Sequence, residues 1–161
     1  MRRCYVYFCV LWGLACSESS DTTPPIWHDD AMLSVSVEET RVSLSWPAAT
    51  DNQGIVGYRV YLDGSLTSEL GSDEFTSTVE NLAPAREYIL AVTALDAAGN
   101  ETITPLVSSV KTLDVTPPTW PVGELMVTEL APTSMRLTWP ESRDNVATVS
   151  YSVYVDDRRR A

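Results

Sequence analysis

Few side chains in this sequence could do chemistry, and their neighbours limit them further. His28 is the only histidine, so no imidazole pair can ligate zinc, and a Ser-His-Asp assembly would have to use a residue placed just after a flexible tether. Carboxylates are plentiful, 22 Asp and Glu against 11 Lys and Arg, but abundance is not arrangement. Asp29-Asp30, Asp73-Glu74 and Asp156-Asp157 are adjacent pairs in turn-like contexts. Neighbours on an extended chain point to opposite faces, so these pairs read as solvated charge and not as an acid and a base across a cleft. Asp51, Asn52, Asp96 and Asn100 carry hard oxygen ligands of the kind that hold calcium weakly, and the same residue types also cap turns through their own backbone bonds. No catalytic residue and no cofactor are expected from this inventory.

The elements that must position these groups are bounded by length and charge. The chain has 161 residues, enough for one full domain and a remainder. A net charge of −11 leaves no basic patch to neutralise phosphates, which argues against nucleic acid as a partner and against adhesion of the body of the chain to anionic membranes.

Met1-Arg2-Arg3 opens a short positive start, and twelve uncharged, mostly apolar residues run from Cys4 to Ala15. That is the pattern of a signal peptide over residues 1–15, too short for a transmembrane anchor. The three cysteines stand at 4, 9 and 16, so cleavage after Ala15 leaves Cys16 as the sole thiol and no internal disulfide. Gly13-Leu14-Ala15-Cys16 resembles a bacterial lipoprotein signal, in which the cysteine is acylated. Gly13 stands where that pattern has a large aliphatic residue, and Gly13-x-Ala15 equally fits ordinary secretory cleavage at the same bond. Lipidation at Cys16, free secretion and an incidental apolar start all remain open, with lipidation preferred because an exported chain seldom keeps one unpaired thiol. The resemblance, with Ser17 after the cysteine, implies the outer membrane of a two-membrane bacterium, so that membrane contact is through the lipidated terminus alone. Residues 16–22 read as a tether.

Asp21-Thr-Thr-Pro-Pro-Ile-Trp27 recurs as Asp114-Val-Thr-Pro-Pro-Thr-Trp120, an offset of 93 that holds without a gap through Trp46 and Trp139, Asp51 and Asp144, and Tyr58 and Tyr151. Repetition at domain length means tandem modules. The first is expected over 23–113 and an incomplete second over 114–161. Within the first copy Val42, Leu44 and Trp46, then Tyr58, Val60 and Leu62, then Tyr88, Leu90, Val92 and Ala94 alternate with less apolar residues, which is the period of a half-buried strand. Asp51-Asn52-Gln53-Gly54, Asp63-Gly64, Ala83-Pro84 and Ala97-Ala98-Gly99-Asn100 supply turns between them. Short alternating strands at this spacing predict an all-β, antiparallel β-sandwich.

Trp46, Tyr58-x-Val60-x-Leu62 and Leu82-x-Pro84-x-x-x-Tyr88 resemble a fibronectin type III domain, an immunoglobulin-like sandwich, in its bacterial extracellular variety. The resemblance covers the first copy in full and the second in part. It implies a core of Trp46, Tyr58, Val60, Leu82, Tyr88, Leu90 and Val92, with Tyr88 in a tyrosine corner, and it places the loops of Asp51-Asn52 and Asp96-Asn100 at one end of the sandwich, as a weak calcium site. Tyr61 alternates with Tyr58 and Val60, which puts it on the outer sheet face, where a ring can stack on a sugar or on a partner protein or simply pack against cross-strand neighbours. The function implied is that of a non-catalytic spacer or adhesive element at the cell surface, with a surface protein or a polysaccharide as partner. The alternative is a fragment of a larger secreted enzyme, such as a polysaccharide-degrading one. The second copy lacks the stretch corresponding to Glu74–Thr112, and half a sandwich cannot bury its inner face, so poor order is expected from about residue 119. Its ending, Asp156-Asp157-Arg158, departs from the Asp63-Gly64 turn of the first copy.

Overall fold

The computed structural model describes residues 21–146 and 149–160. The leader and Cys16 lie outside the described residues. In the first copy the period-two segments become seven strands: β1 (Ser34–Val37), β2 (Val42–Ser45), β3 (Ile55–Leu62), β4 (Ser65–Gly71), β5 (Thr76–Val79), β6 (Glu87–Asp96) and β7 (Leu106–Lys111). They form two antiparallel sheets of order β1-β2-β5 and β4-β3-β6-β7. The alternation works as the sequence pattern requires: Val42 and Leu44 are buried while Ser43 and Ser45 are not, and Leu90, Val92 and Ala94 are fully buried on β6.

The core between the sheets is organised around Tyr58, 1% exposed. Its ring stacks near Trp27 at 6.0 Å and tilts on Trp46 at 5.9 Å and Phe75 at 5.7 Å between centroids, separations at which aromatic pairs attract. Val60, Leu82, Tyr88, Leu90, Val92 and Leu106 complete the cluster. At the far edge the Tyr88 hydroxyl accepts a hydrogen bond from Ala83 N at 2.8 Å. Thr112, 3% exposed, pins the same corner: its hydroxyl donates to Ala83 O at 2.6 Å and accepts from Arg86 N at 3.0 Å. Gly57 is required by a close approach, since a Cβ there would lie 2.3 Å from Leu70 O across the β3–β4 pair.

The second copy repeats the early part of this plan. Strands β8 (Met126–Ala131) and β9 (Ser134–Thr138) form one hairpin, and β10 (Tyr154–Val155) and β11 (Arg158–Arg159) a second. The Ile26–Thr50 bridge reappears as Thr119–Arg143, with backbone bonds of 2.8 and 3.0 Å. The third strand is shorter than its counterpart: β3 spans eight residues, whereas only Tyr154 and Val155 are paired in β10. In the first copy β3 is flanked by β4 and β6, whereas β10 pairs with β11 alone among the described residues. The turn is kept although its sequence differs. Asp156 and Asp157, with φ of 50° and 59°, form the same turn as Asp63 and Gly64, with φ of 49° and 80°, because Asp tolerates the left-handed region better than most residues.

Candidate functional site

The groups best placed for chemistry gather where the loop before β3 and the end of β6 meet the segment entering the first module. Asp51 follows the Thr50 bridge to Ile26 and opens a turn in which its Oδ2 accepts from Gln53 N at 2.7 Å and Gly54 N at 3.1 Å. Asp96 ends β6. Its Oδ1 accepts from Ala98 N at 2.9 Å and Asn100 N at 2.8 Å, and its Oδ2 from Asn100 Nδ2 at 2.7 Å. Burial pushes the Asp96 carboxyl up, but the hydrogen bonds from Asn100 and Ala98 outweigh it and hold the group below its ordinary value, as expected when donors face the charged form.

A third carboxylate joins them. Asp21, which the sequence places in the tether, has one oxygen satisfied by Thr23 N at 3.0 Å, and its carbonyl accepts from Asn100 Nδ2 at 3.1 Å. One carboxylate oxygen from each of Asp21, Asp51 and Asp96 lies within 4.8 Å of the others. Asp21 Oδ2 and Asp51 Oδ1 are buried with no hydrogen-bond partner among the described residues, and none of the three carboxylates forms an ion pair there.

Of the four residues singled out as oxygen ligands, Asp51 and Asp96 therefore converge, Asn100 braces both Asp96 and Asp21 through its amide, and Asn52 is exposed at the turn. Asp21 was missed because its neighbour in space lies 79 positions away. The signal that could have found it is its place in the repeated Asp-x-Thr-Pro-Pro, which sets the same carboxylate before each module at Asp21 and Asp114.

The outer face of the larger sheet carries a second polar group. Arg59 Nε pairs with Glu69 at 2.7 Å and its Nη1 with Glu101 at 3.2 Å. Glu101 also accepts from Tyr61 Oη at 2.7 Å and from Thr93 Oγ1. Burial raises the Glu101 carboxyl, while Thr93, Tyr61 and Arg59 together hold it below the usual carboxylate range. Tyr61 is half-buried and its hydroxyl engaged, so this face is a satisfied network. His28 is exposed, with Asp30 at 3.9 Å.

The fibronectin type III domain family matches residues 31–110. Chitinase A1 of Niallia circulans is 36% identical over 140 residues, 83% of this chain and 19% of that protein. Exoglucanase B of Cellulomonas fimi is 35% identical over 133 residues, 78% of this chain and 12% of that protein. The chain thus spans less than a fifth of the length of these curated relatives. Among solved structures, FN3tt is similar with a TM-score of 0.43 and 20% identity, covering 55% of this chain and 91% of that one. Chitinase ChiA74 from Bacillus thuringiensis is similar with a TM-score of 0.42 and 26% identity, covering 71% of this chain and 16% of that one.

Proposed function

Residues 31–110 form a fibronectin type III domain, and from that premise we propose that the chain is a non-catalytic spacer of the kind carried as an accessory part by secreted polysaccharide-degrading enzymes. The observation that carries this reading is that the likeness to chitinase A1 and exoglucanase B runs over 83% and 78% of this chain but only 19% and 12% of those far longer proteins. A tandem array joined by Pro-Pro linkers at 24–25 and 117–118 has two fixed φ angles at each joint and serves to hold neighbours apart. The outer sheet face supports spacing over adhesion, because its one central aromatic, Tyr61, is tied into the Glu101 network.

The finer part of the reading is that the chain works outside the cytoplasm, held there through a lipidated Cys16. Two measurements test these statements. Incubated with insoluble chitin or cellulose, the purified chain stays in the supernatant and releases no soluble sugar; retention on either polymer turns the spacer into an adhesive module, and hydrolysis overturns the non-catalytic reading. In cells, radioactive fatty acid labels the protein and Cys16→Ser abolishes the label. Label that persists in the variant removes the anchor.

A further inference from the structure

We propose that Asp21, Asp51 and Asp96 bind one calcium ion, which clasps the segment leading into the first module to the end of its sandwich. The three carboxylate oxygens come from separate parts of the chain, the entering segment, the β2–β3 loop and the end of β6, yet lie within 4.8 Å of one another. Calcium binds oxygens at about 2.3–2.6 Å, so two of its ligands stand at most roughly 5 Å apart. The cluster is therefore of the size that a single ion draws together.

A second observation is independent of the clustering. Asp21 Oδ2 and Asp51 Oδ1 are shielded from solvent and without any hydrogen-bond partner among the described residues. A carboxylate oxygen withdrawn from water and left unpaired is costly, and in a native fold it calls for a counter-ion. Backbone amides hold the other oxygens of Asp21 and Asp51, and Ala98 and Asn100 hold both oxygens of Asp96, so the two unpaired oxygens are the ones with no donor to compete with a cation. Asp96 is itself 2% exposed. It is fixed by three donors, so its position does not depend on the ion.

The chemistry selects the ion. The donors are oxygen only, with no imidazole or thiolate beside them among the described residues, which suits a hard cation and not zinc. They come from two irregular segments and a strand end, an uneven set that calcium accommodates with six to eight ligands including water, whereas magnesium demands near-ideal octahedral geometry. Because Asp21 precedes Pro24-Pro25, its capture stiffens the joint ahead of the module. Asp114 and Asp144 repeat the first two ligands at the next joint. Stiffening as a function rests on the spacer reading; the binding does not.

The test uses the full mature chain, stripped with a chelator and titrated with calcium chloride. At about 1 mM calcium, a concentration typical of extracellular sites, the melting temperature rises by roughly 5 °C, and calorimetry gives one ion per chain. Asp21→Asn lies outside the strands, folds as the parent does, and loses most of the rise; Asp51→Asn does the same. No rise at ~10 mM calcium, an equal rise in Asp21→Asn, or an equal rise with magnesium overturns the site. Retention of the chain on chitin would instead remove the spacer reading and leave the calcium response intact.

Discussion

The two copies make the same local contacts and reach different ends. Tyr58 accepts from Ala49 N at 3.2 Å and Tyr151 from Ser142 N at 2.7 Å. Trp46 tilts on Tyr58 at 5.9 Å and Trp139 on Tyr151 at 5.5 Å. Yet Trp46 is 5% exposed and fully within a core, while Trp120 and Leu125 of the second copy are more than half exposed, around a cleft of about 590 Å³ that Trp139 and Tyr151 also line. What separates them is β5, β6 and β7, which the first copy folds over its aromatics. Local sequence arranges a Trp–Tyr pair, but only distant strands take it out of water, and burial is where the stabilisation lies.

The comparison breaks most visibly at the tryptophans. Trp46→Ala opens a core cavity and costs about 3–5 kcal/mol, enough to unfold the first module or nearly so. Trp139→Ala removes an incompletely covered ring and shifts the denaturation curve of the full chain by less than about 1 kcal/mol. Equal losses from the two substitutions would show that the second copy has a core of its own. Amide exchange reads the same contrast without mutation: Leu44 and Val60 are protected to the level of global unfolding, whereas Leu137 and Val153 exchange rapidly.

A smaller effect is expected at Gly57, whose counterpart at the offset of 93 is Ser150. The first copy cannot take that serine, because its Cβ would meet Leu70 O at 2.3 Å and backbone would have to move. Gly57→Ser lowers stability by about 1–3 kcal/mol, measured by urea denaturation. Ser150→Gly leaves the curve where it was.

Acid separates the copies again. Asp96 and Glu101 are held below their ordinary values of 3.8 and 4.5, so both bind protons more weakly folded than unfolded. Their contribution is complete above those ordinary values and is lost as pH falls through the depressed folded ones. The melting temperature of the first module is therefore flat above about pH 5 and drops below it, while exchange at Leu137 changes little. A melting temperature that holds steady down to pH 3 would mean that neither carboxylate is held as described.

How much of this was legible follows from the range of each interaction. Strand alternation placed Val42, Leu44, Tyr58, Leu90 and Val92 inward, because a period of two is a property of the local backbone. The convergence of the Asp51 and Asp96 loops was readable through the resemblance to a known layout. Asp21 was not, because its partners are brought near only when the entering segment closes onto the far end of β6. Thr112 was missed for the same reason: a threonine after a strand carries no local sign that it will bond Ala83 and Arg86. The turn-like context of Asp156-Asp157 was legible although its sequence departs from Asp63-Gly64, since glycine is the commonest but not the sole residue to accept positive φ.

That turn offers the finest division between the copies. Gly64 sits at φ 80° with open space where a Cβ would go, so Gly64→Asp, which copies the second module, meets no clash and only the conformational penalty of the left-handed region. The cost is about 0.5–1 kcal/mol, and it appears in global stability because β3 and β4 belong to the cooperative core. Asp157→Gly relieves a similar penalty in the β10–β11 hairpin, but that hairpin is not buried against a second sheet, so the midpoint of unfolding stays within error. Reciprocal shifts of equal size would join the C-terminal hairpin to the first module's folding unit.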